Sequence, residues 1–249
     1  MTISGIVIAK NEQDLINNCL SSLKFCNEII VIDNGSSDKT IEIAKERGAK
    51  VVVYKTDDFS ELRNKGLEIS SSDWLIYVDA DERVTKELEK EIIEKIKNSG
   101  KYKAFRLKRK NFYFGSSRSN EWPYIEKLER VFKKENLKGW KGKLHESPVV
   151  DGEVGDLENF LPHFTHRNLT QMLDKTIEWS EIEAETRFKN NHPEMSWWRF
   201  PRVMISAFIN SYINQKGYRA GTVGIIESIY QAFSIFITYA KLWEKQNKK

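Results

Sequence analysis

The chain predicts an α/β fold with a largely parallel central sheet, and three features of its 249 residues point there. Short apolar runs alternate with helical periodicities through residues 1–83, at the spacing of βαβ units. The first of those runs, Ile3–Ala9, lacks period two, as a strand covered on both faces does. The acids Asp33, Asp79 and Asp81 stand directly after two of the runs, where open α/β sheets bind their ligands.

The elements follow in order. Ile3–Ala9 is a continuous apolar run and the first strand; Leu15, Ile16, Cys19, Leu20 and Leu23 recur at helical spacing behind it. Residues 28–32 form the second strand, which ends in Asp33-Asn34-Gly35-Ser36-Ser37-Asp38, a turn and helix cap. The helix carrying Ile41, Ile43 and Ala44 stops at Gly48. Strand three spans 50–54, a helix 61–69, and strand four 74–78. Thr85 then caps a charged helix whose buried face is Leu88, Ile92 and Ile96. Residues 104–107 and 130–132 are strand-like and flank an aromatic loop, Asn111-Phe112-Tyr113-Phe114-Gly115. From about residue 168 the chain reads as helical.

Composition narrows the class. A chain that is 40% hydrophobic and 31% charged has a real core and is not disordered. Cys19 and Cys26 cannot build a disulfide framework or a four-ligand zinc site, and read as two small buried hydrophobes. The N-terminus has no basic region before its apolar run and no cleavage site, so a cytoplasmic protein is expected. Residues 101–143 hold 14 Lys and Arg against 4 acids, a local +10 within a net charge of +4. Such a segment is expected to meet phosphate, nucleic acid or acidic lipid.

Asp79-Ala80-Asp81 is the centre of the chemistry. Two carboxylates one residue apart at a strand end raise each other's pKa unless a cation lies between them. A divalent ion with oxygen ligands, Mg²⁺ or Mn²⁺, resolves that conflict and commonly shares its shell with substrate phosphates. Three stretches, 6–12 (Ile-Val-Ile-Ala-Lys-Asn-Glu), 31–40 (Val-Ile-Asp-Asn-Gly-Ser-Ser-Asp-Lys-Thr) and 77–83 (Tyr-Val-Asp-Ala-Asp-Glu-Arg), resemble the successive motifs of family 2 glycosyltransferases. Arg130-Val131-Phe132, Gly142-Lys143-Leu144-His145-Glu146 and 239–244 (Tyr-Ala-Lys-Leu-Trp-Glu) resemble the bacterial subgroup similar to lipopolysaccharide-core β-glucosyltransferases.

That resemblance implies a GT-A type fold: a catalytic domain over 1–167, with 1–83 its nucleotide-binding half and 84–167 its acceptor side, and a helical extension over 168–249. It implies an inverting transfer of a hexose, glucose by the subgroup, from a UDP-sugar or other nucleotide diphosphate sugar to a core glycan or glycolipid. Ala9 and Glu12 would line the nucleoside pocket, Asp33 would hold base or ribose, and Arg63 would face the donor. Asp79 would contact ribose or metal, Asp81 would be the principal metal ligand, and Arg130 would meet the diphosphate. Relatives carry a Gln two residues before that Arg; here it is Leu128. A carboxylate base must take the acceptor proton. Glu146 is the candidate, with His145 its neighbour or an auxiliary metal ligand, and Asp151 or Asp156 as alternatives. His166 of His163-Phe164-Thr165-His166 is the histidine expected to complete the metal shell, and His192 is expected to be structural.

Two further expectations concern partners. Residues 217–243 are apolar and aromatic, and their longest uncharged run, 228–240, is too short to span a bilayer. An in-plane helix, with the basic 101–143 segment, would attach the protein peripherally to an anionic inner membrane surface. The same N-terminal motifs fit a polyprenyl-phosphate glycosyltransferase. No nucleic-acid partner is expected, although Phe112, Tyr113 and Phe114 beside the basic segment could stack bases.

Overall fold

The structure is a computed structural model that describes residues 1–114, 121–143 and 145–248; Gly115 of the aromatic loop, Arg118 of the basic segment and Leu144 of the 142–146 motif lie outside them. The chain divides into two units, residues 1–110 with 126–163, and residues 111–125 with 164–249.

The first unit is built on β1 (Ile3–Ala9), α1 (Ile16–Ser22), β2 (Glu28–Asp33), α2 (Thr40–Glu46), β3 (Lys50–Val53), α3 (Phe59–Ile69), β4 (Trp74–Asp79) and α4 (Lys86–Lys97). The later strands are β5 (Tyr102–Phe112), β6 (Glu121–Lys133), β7 (Leu137–Lys141), β8 (Ser147–Val150) and β9 (Glu153–Phe164). Seven form one sheet in the order β3-β2-β1-β4-β6-β5-β9, and β7 pairs with β8. The pairs β3-β2, β2-β1 and β1-β4 are parallel, and β6 joins β4 antiparallel. The α/β class expected from the alternation is the one observed.

Alternating residues of the central strands feed two cores. Val7, Val31, Ile76 and Val78 pack with Ile16, Leu20, Leu88 and Ile92 on one face, whereas Ile6, Ile8, Ile32, Leu75 and Tyr77 pack with Leu62 and Trp140 on the other. Both faces are covered, which is why these strands read as unbroken apolar runs. Residues 84–167 were less legible. Strands β5 and β6 extend far beyond 104–107 and 130–132, and β7, β8 and β9 were not foreseen. β9 carries Gly155, Asp156, Asn159 and Pro162, residues with poor strand propensity, and is held by pairing rather than preference.

The second unit contains α5 (Leu169–Lys189), α6 (Arg199–Ile209), a π-helical turn at Asn210–Asn214, and α7 (Gly221–Asn247). Met195, Ala184 and Leu242 form its small core with Phe200 and Tyr239. The stretch Gly217–Asn247 is long and apolar enough to cross a membrane by length and composition, unlike the shorter 228–240 run expected from sequence. Charges along it are paired within the unit: Glu227 with His166 (2.9 Å), Lys241 with Glu181 (3.4 Å), and Lys245 with Glu181 (2.7 Å).

Candidate active site

Parallel register brings the polar strand ends level. Ala9 lies opposite Asp33 and Ile8 opposite Asp79. The backbone NH of Asn34 donates to Ala9 O at 2.8 Å and that of Ala80 to Ile8 O at 3.2 Å, so the loops after β2 and β4 leave from the same edge. Asp33 is buried and heads a tight turn: Oδ1 accepts from the NH groups of Gly35 (2.9 Å) and Ser36 (2.8 Å), and Oδ2 from Ser36 Oγ (2.6 Å). Its carboxylate therefore shapes the loop expected to meet the nucleoside. Glu12 is buried on the neighbouring loop, where its NH donates to Thr40 Oγ1 at 2.8 Å.

Arg63 reaches this edge from α3, which Asp58 caps by accepting from Ser60 N at 2.8 Å. Gly66 lets the helix lie close on β1: a Cβ there would stand 2.4 Å from Ile6 Cγ2. Tyr77 OH donates to Arg63 O at 3.1 Å, and the guanidinium lies 4.9 Å from the Trp140 ring centre. It donates through Nη2 to Asp79 Oδ1 at 3.1 Å and through Nε to Glu146 Oε1 at 2.6 Å. One buried guanidinium thus joins Asp79 to Glu146.

Asp79 also accepts from Arg130 Nη2, through Oδ2, at 2.8 Å. Burial alone would raise the Asp79 carboxyl, but Arg130, Arg63 and Arg109 outweigh it and hold it well below the usual carboxylate range. Behind it Glu82 is fully buried; Oε2 accepts from Asp79 N at 2.9 Å, and Oε1 lies 3.3 Å from Arg109 Nη1 and 3.5 Å from Arg130 Nη2. Arg109 is braced in turn by Glu126. Arg63 Nη1 and Arg130 Nε are buried and, among the described residues, have no hydrogen-bond partner. Two orphaned guanidinium donors at one strand edge suit an anionic group, since buried donors are rarely left unpaired.

Asp81 meets a different neighbour. Residues Glu82 and His163 form an antiparallel bridge, and Arg83 N donates to Pro162 O at 3.0 Å. This pairing carries His163 Nε2 to 3.2 Å from Asp81 Oδ2. The sequence had pointed to His166 as the metal histidine. The structure instead places His166 in the second unit, its Nδ1 2.9 Å from Glu227 Oε2 and its ring stacked on Tyr113. Strand β9 ends at Phe164, so His163 lies within the strand while His166 lies beyond its end with a positive φ of 46°. Asp79, expected to share the metal, has an arginine on each oxygen. Among the described residues no three His, Cys, Asp or Glu side chains converge as a metal-binding group. Asp81 and His163 still offer one hard oxygen and one imidazole nitrogen, which fits an ion that keeps waters and phosphate oxygens in its shell.

The remaining candidates divide clearly. His145 is exposed next to Glu146. Asp151 and Asp156 are exposed and lie beside Lys138 (3.7 Å) and Arg106 (3.1 Å). Leu128 is half-buried on the same strand face as Glu126 and Arg130. Sequence reasoning missed Glu82, Arg109 and His163. Glu82 lay within a quoted motif, but its buried role depends on two arginines 27 and 48 residues away.

An uncharacterised glycosyltransferase of Rickettsia typhi is 29% identical over 97% of this chain and 87% of its own length. The lipopolysaccharide core biosynthesis glycosyltransferase LpsC of Rhizobium meliloti is 26% identical over 100% of this chain and 94% of its own. Among solved structures, glucosyl-3-phosphoglycerate synthase from Mycobacterium tuberculosis, in complex with Mn²⁺, uridine diphosphate and glucosyl-3-phosphoglycerate, is similar at 21% identity with a TM-score of 0.41. That match covers 55% of this chain, and this chain spans 58% of that protein. Residues 4–148, more than half of the chain, match the family model for glycosyl transferase family 2, and the chain belongs to that family.

Proposed function

We propose that the protein is an inverting, metal-assisted hexosyltransferase that uses a UDP-sugar, glucose being the sugar, and acts on a lipopolysaccharide-core or other cell-surface glycan at the cytoplasmic face of the membrane. The observation that carries this reading is the Arg63 bridge between Asp79 and Glu146, next to the Asp81–His163 pair. It joins a donor-side acid to a candidate base through one rigid group. The similarity to LpsC over the whole chain supports the acceptor class.

In this reading Asp81 and His163 would hold a divalent ion, which would supply positive charge beside the diphosphate leaving group. Arg63 and Arg130 present their free N–H groups to the same phosphates. Glu146, oriented by Arg63, takes the proton from the acceptor hydroxyl during a single displacement. Arg63 is kept charged because Asp79 and Glu146 outweigh the effect of its burial. Ala9, Glu12 and the Asp33 turn wall the nucleoside.

Thermal unfolding with a panel of nucleotide sugars tests the donor. A ligand present at about 100 times its Kd stabilises the folded state by roughly 2.7 kcal/mol. UDP-glucose with Mg²⁺ or Mn²⁺ should raise the melting temperature, and excess chelator should remove the rise. Stabilisation by another nucleotide alone would replace the donor assigned here.

A further inference from the structure

Between Glu194 and Glu227 the chain has no acid, but it has four cations, Arg199, Arg202, Lys216 and Arg219. The segment includes α6, which contributes no fully buried residue. It also exposes large apolar side chains: Trp197 is 83% exposed, Ile205 59%, Ile213 52%, and Trp198, Ile209 and Tyr218 nearly half. Arg202, Ile205, Ser206 and Ile209 recur at helical spacing and, with Asn210 and Asn214, line an open groove. Arg199 and Arg202 lie 5.3 and 6.0 Å from the Trp198 ring centre, placing cation and indole together.

Water does not favour this surface, and a free anion would need none of its apolar groups. A second copy would set four cations against four. A bilayer with anionic headgroups satisfies both halves: tryptophans sit at the headgroup level, isoleucines enter the acyl boundary, and arginines meet lipid phosphates. Helix α5 also exposes Ile177 and Trp179, but Asp174, Glu178, Glu181, Glu183 and Glu185 interrupt it. Charge therefore favours α6 over α5. We propose that residues 195–226, centred on α6, form the surface by which the second unit lies on an anionic membrane, without crossing it. This names a surface for the membrane placement proposed above and rests on that placement, not on the donor, metal or base assigned there, which a vesicle-binding result leaves untouched.

The test is flotation of the intact protein with vesicles of phosphatidylcholine alone or with one third phosphatidylglycerol. Binding should require the anionic lipid and weaken with salt. Trp197→Ala, Ile205→Ser and Ile209→Ser together should lower partitioning at least about tenfold, with the melting temperature unchanged because all three are exposed. Arg202→Glu with Arg219→Glu should do the same without altering apolar area, at about fivefold or more per cation. Brominated lipids should quench tryptophan fluorescence, and Trp197→Phe with Trp198→Phe should remove most of that quenching. Three results would overturn the proposal: vesicle binding unchanged in both variant sets, no binding by the intact protein, or native protein that leaves membranes only with detergent. A dimer that the triple substitution dissociates, with no lipid binding, would assign the face to a second copy instead.

Discussion

Asp79 and Asp81 are one residue apart yet meet opposite chemistry. Arginines hold both Asp79 oxygens, while Asp81 faces an imidazole. Asp81→Ala should abolish transfer and metal-dependent UDP binding while sparing the fold, since a loop carboxylate contributes little packing. His163→Ala should raise the metal concentration needed for half-maximal stabilisation about tenfold or more, whereas His166→Ala should leave it unchanged. Undiminished transfer in excess chelator would sink the metal assignment. Glu146→Gln keeps the shape but not the basicity. Turnover should fall roughly 10²-fold or more with donor affinity little altered. If affinity collapses instead, Glu146 binds substrate and is not the base.

At the scale of elements, two contacts set where these residues sit. Helix α3 lies close on β1 because Gly66 sits against Ile6, a buried branched side chain with little room to move. Gly66→Ala should destabilise by about 1–3 kcal/mol in urea unfolding and weaken donor binding by shifting Arg63. Helix α4 holds β9 through Glu91, which accepts from the NH groups of Glu158 (2.7 Å) and Asn159 (2.9 Å) and from Asn159 Nδ2 (2.8 Å). Burial pushes the Glu91 pKa up, but those hydrogen bonds outweigh it and lower the pKa. The folded pKa lies below the unfolded one, so this stability is present above the unfolded value and is lost as pH falls through the folded one. Glu91→Gln should cost about 1 kcal/mol at neutral pH, and the difference from the native protein should shrink in acid. A constant difference down to pH 3 would deny the charged role.

For the molecule as a whole, the charge balance differs from the impression of its sequence. The +10 of residues 101–143 was expected to attract an external anion. In the fold, Lys101 meets Glu153, Arg106 meets Asp156, Lys108 meets Glu158, Lys138 meets Asp151 and Lys143 meets Asp57. Arg109 and Arg130 serve the acids around Asp79. Arg106–Asp156 and Lys108–Glu158 lie between the neighbouring strands β5 and β9, and their acids come some fifty residues later in the chain. Surface pairs of this kind add little stability, but they offset much of the local positive charge. The intact protein should therefore show no steeply salt-dependent shift of single-stranded DNA or RNA near 50 mM salt. Such a shift with the slope of several phosphate contacts would restore the nucleic-acid reading.

The first 83 residues were legible because neighbouring residues decide them: apolar runs make strands, their spacing makes crossovers, and the strand-end acids mark the candidate binding edge. Asp33, Arg63, Asp79 and Asp81 could be named from motif and position alone. What the sequence could not decide depended on distant pairing. Leu128 shares a strand face with Glu126 and Arg130, but only the β6–β5–β9 order explains what that face meets. The choice of His163 over His166 rests on the bridge between Glu82 and His163. The burial of Glu82 rests on arginines from two other strands, and the long apolar α7 hides charges that sequence counts as interruptions. Local composition determines strands, helices and loop chemistry through side-chain period and solvation. Which titratable groups share one low-dielectric site is a matter of strand order and register, and tertiary structure alone settles it.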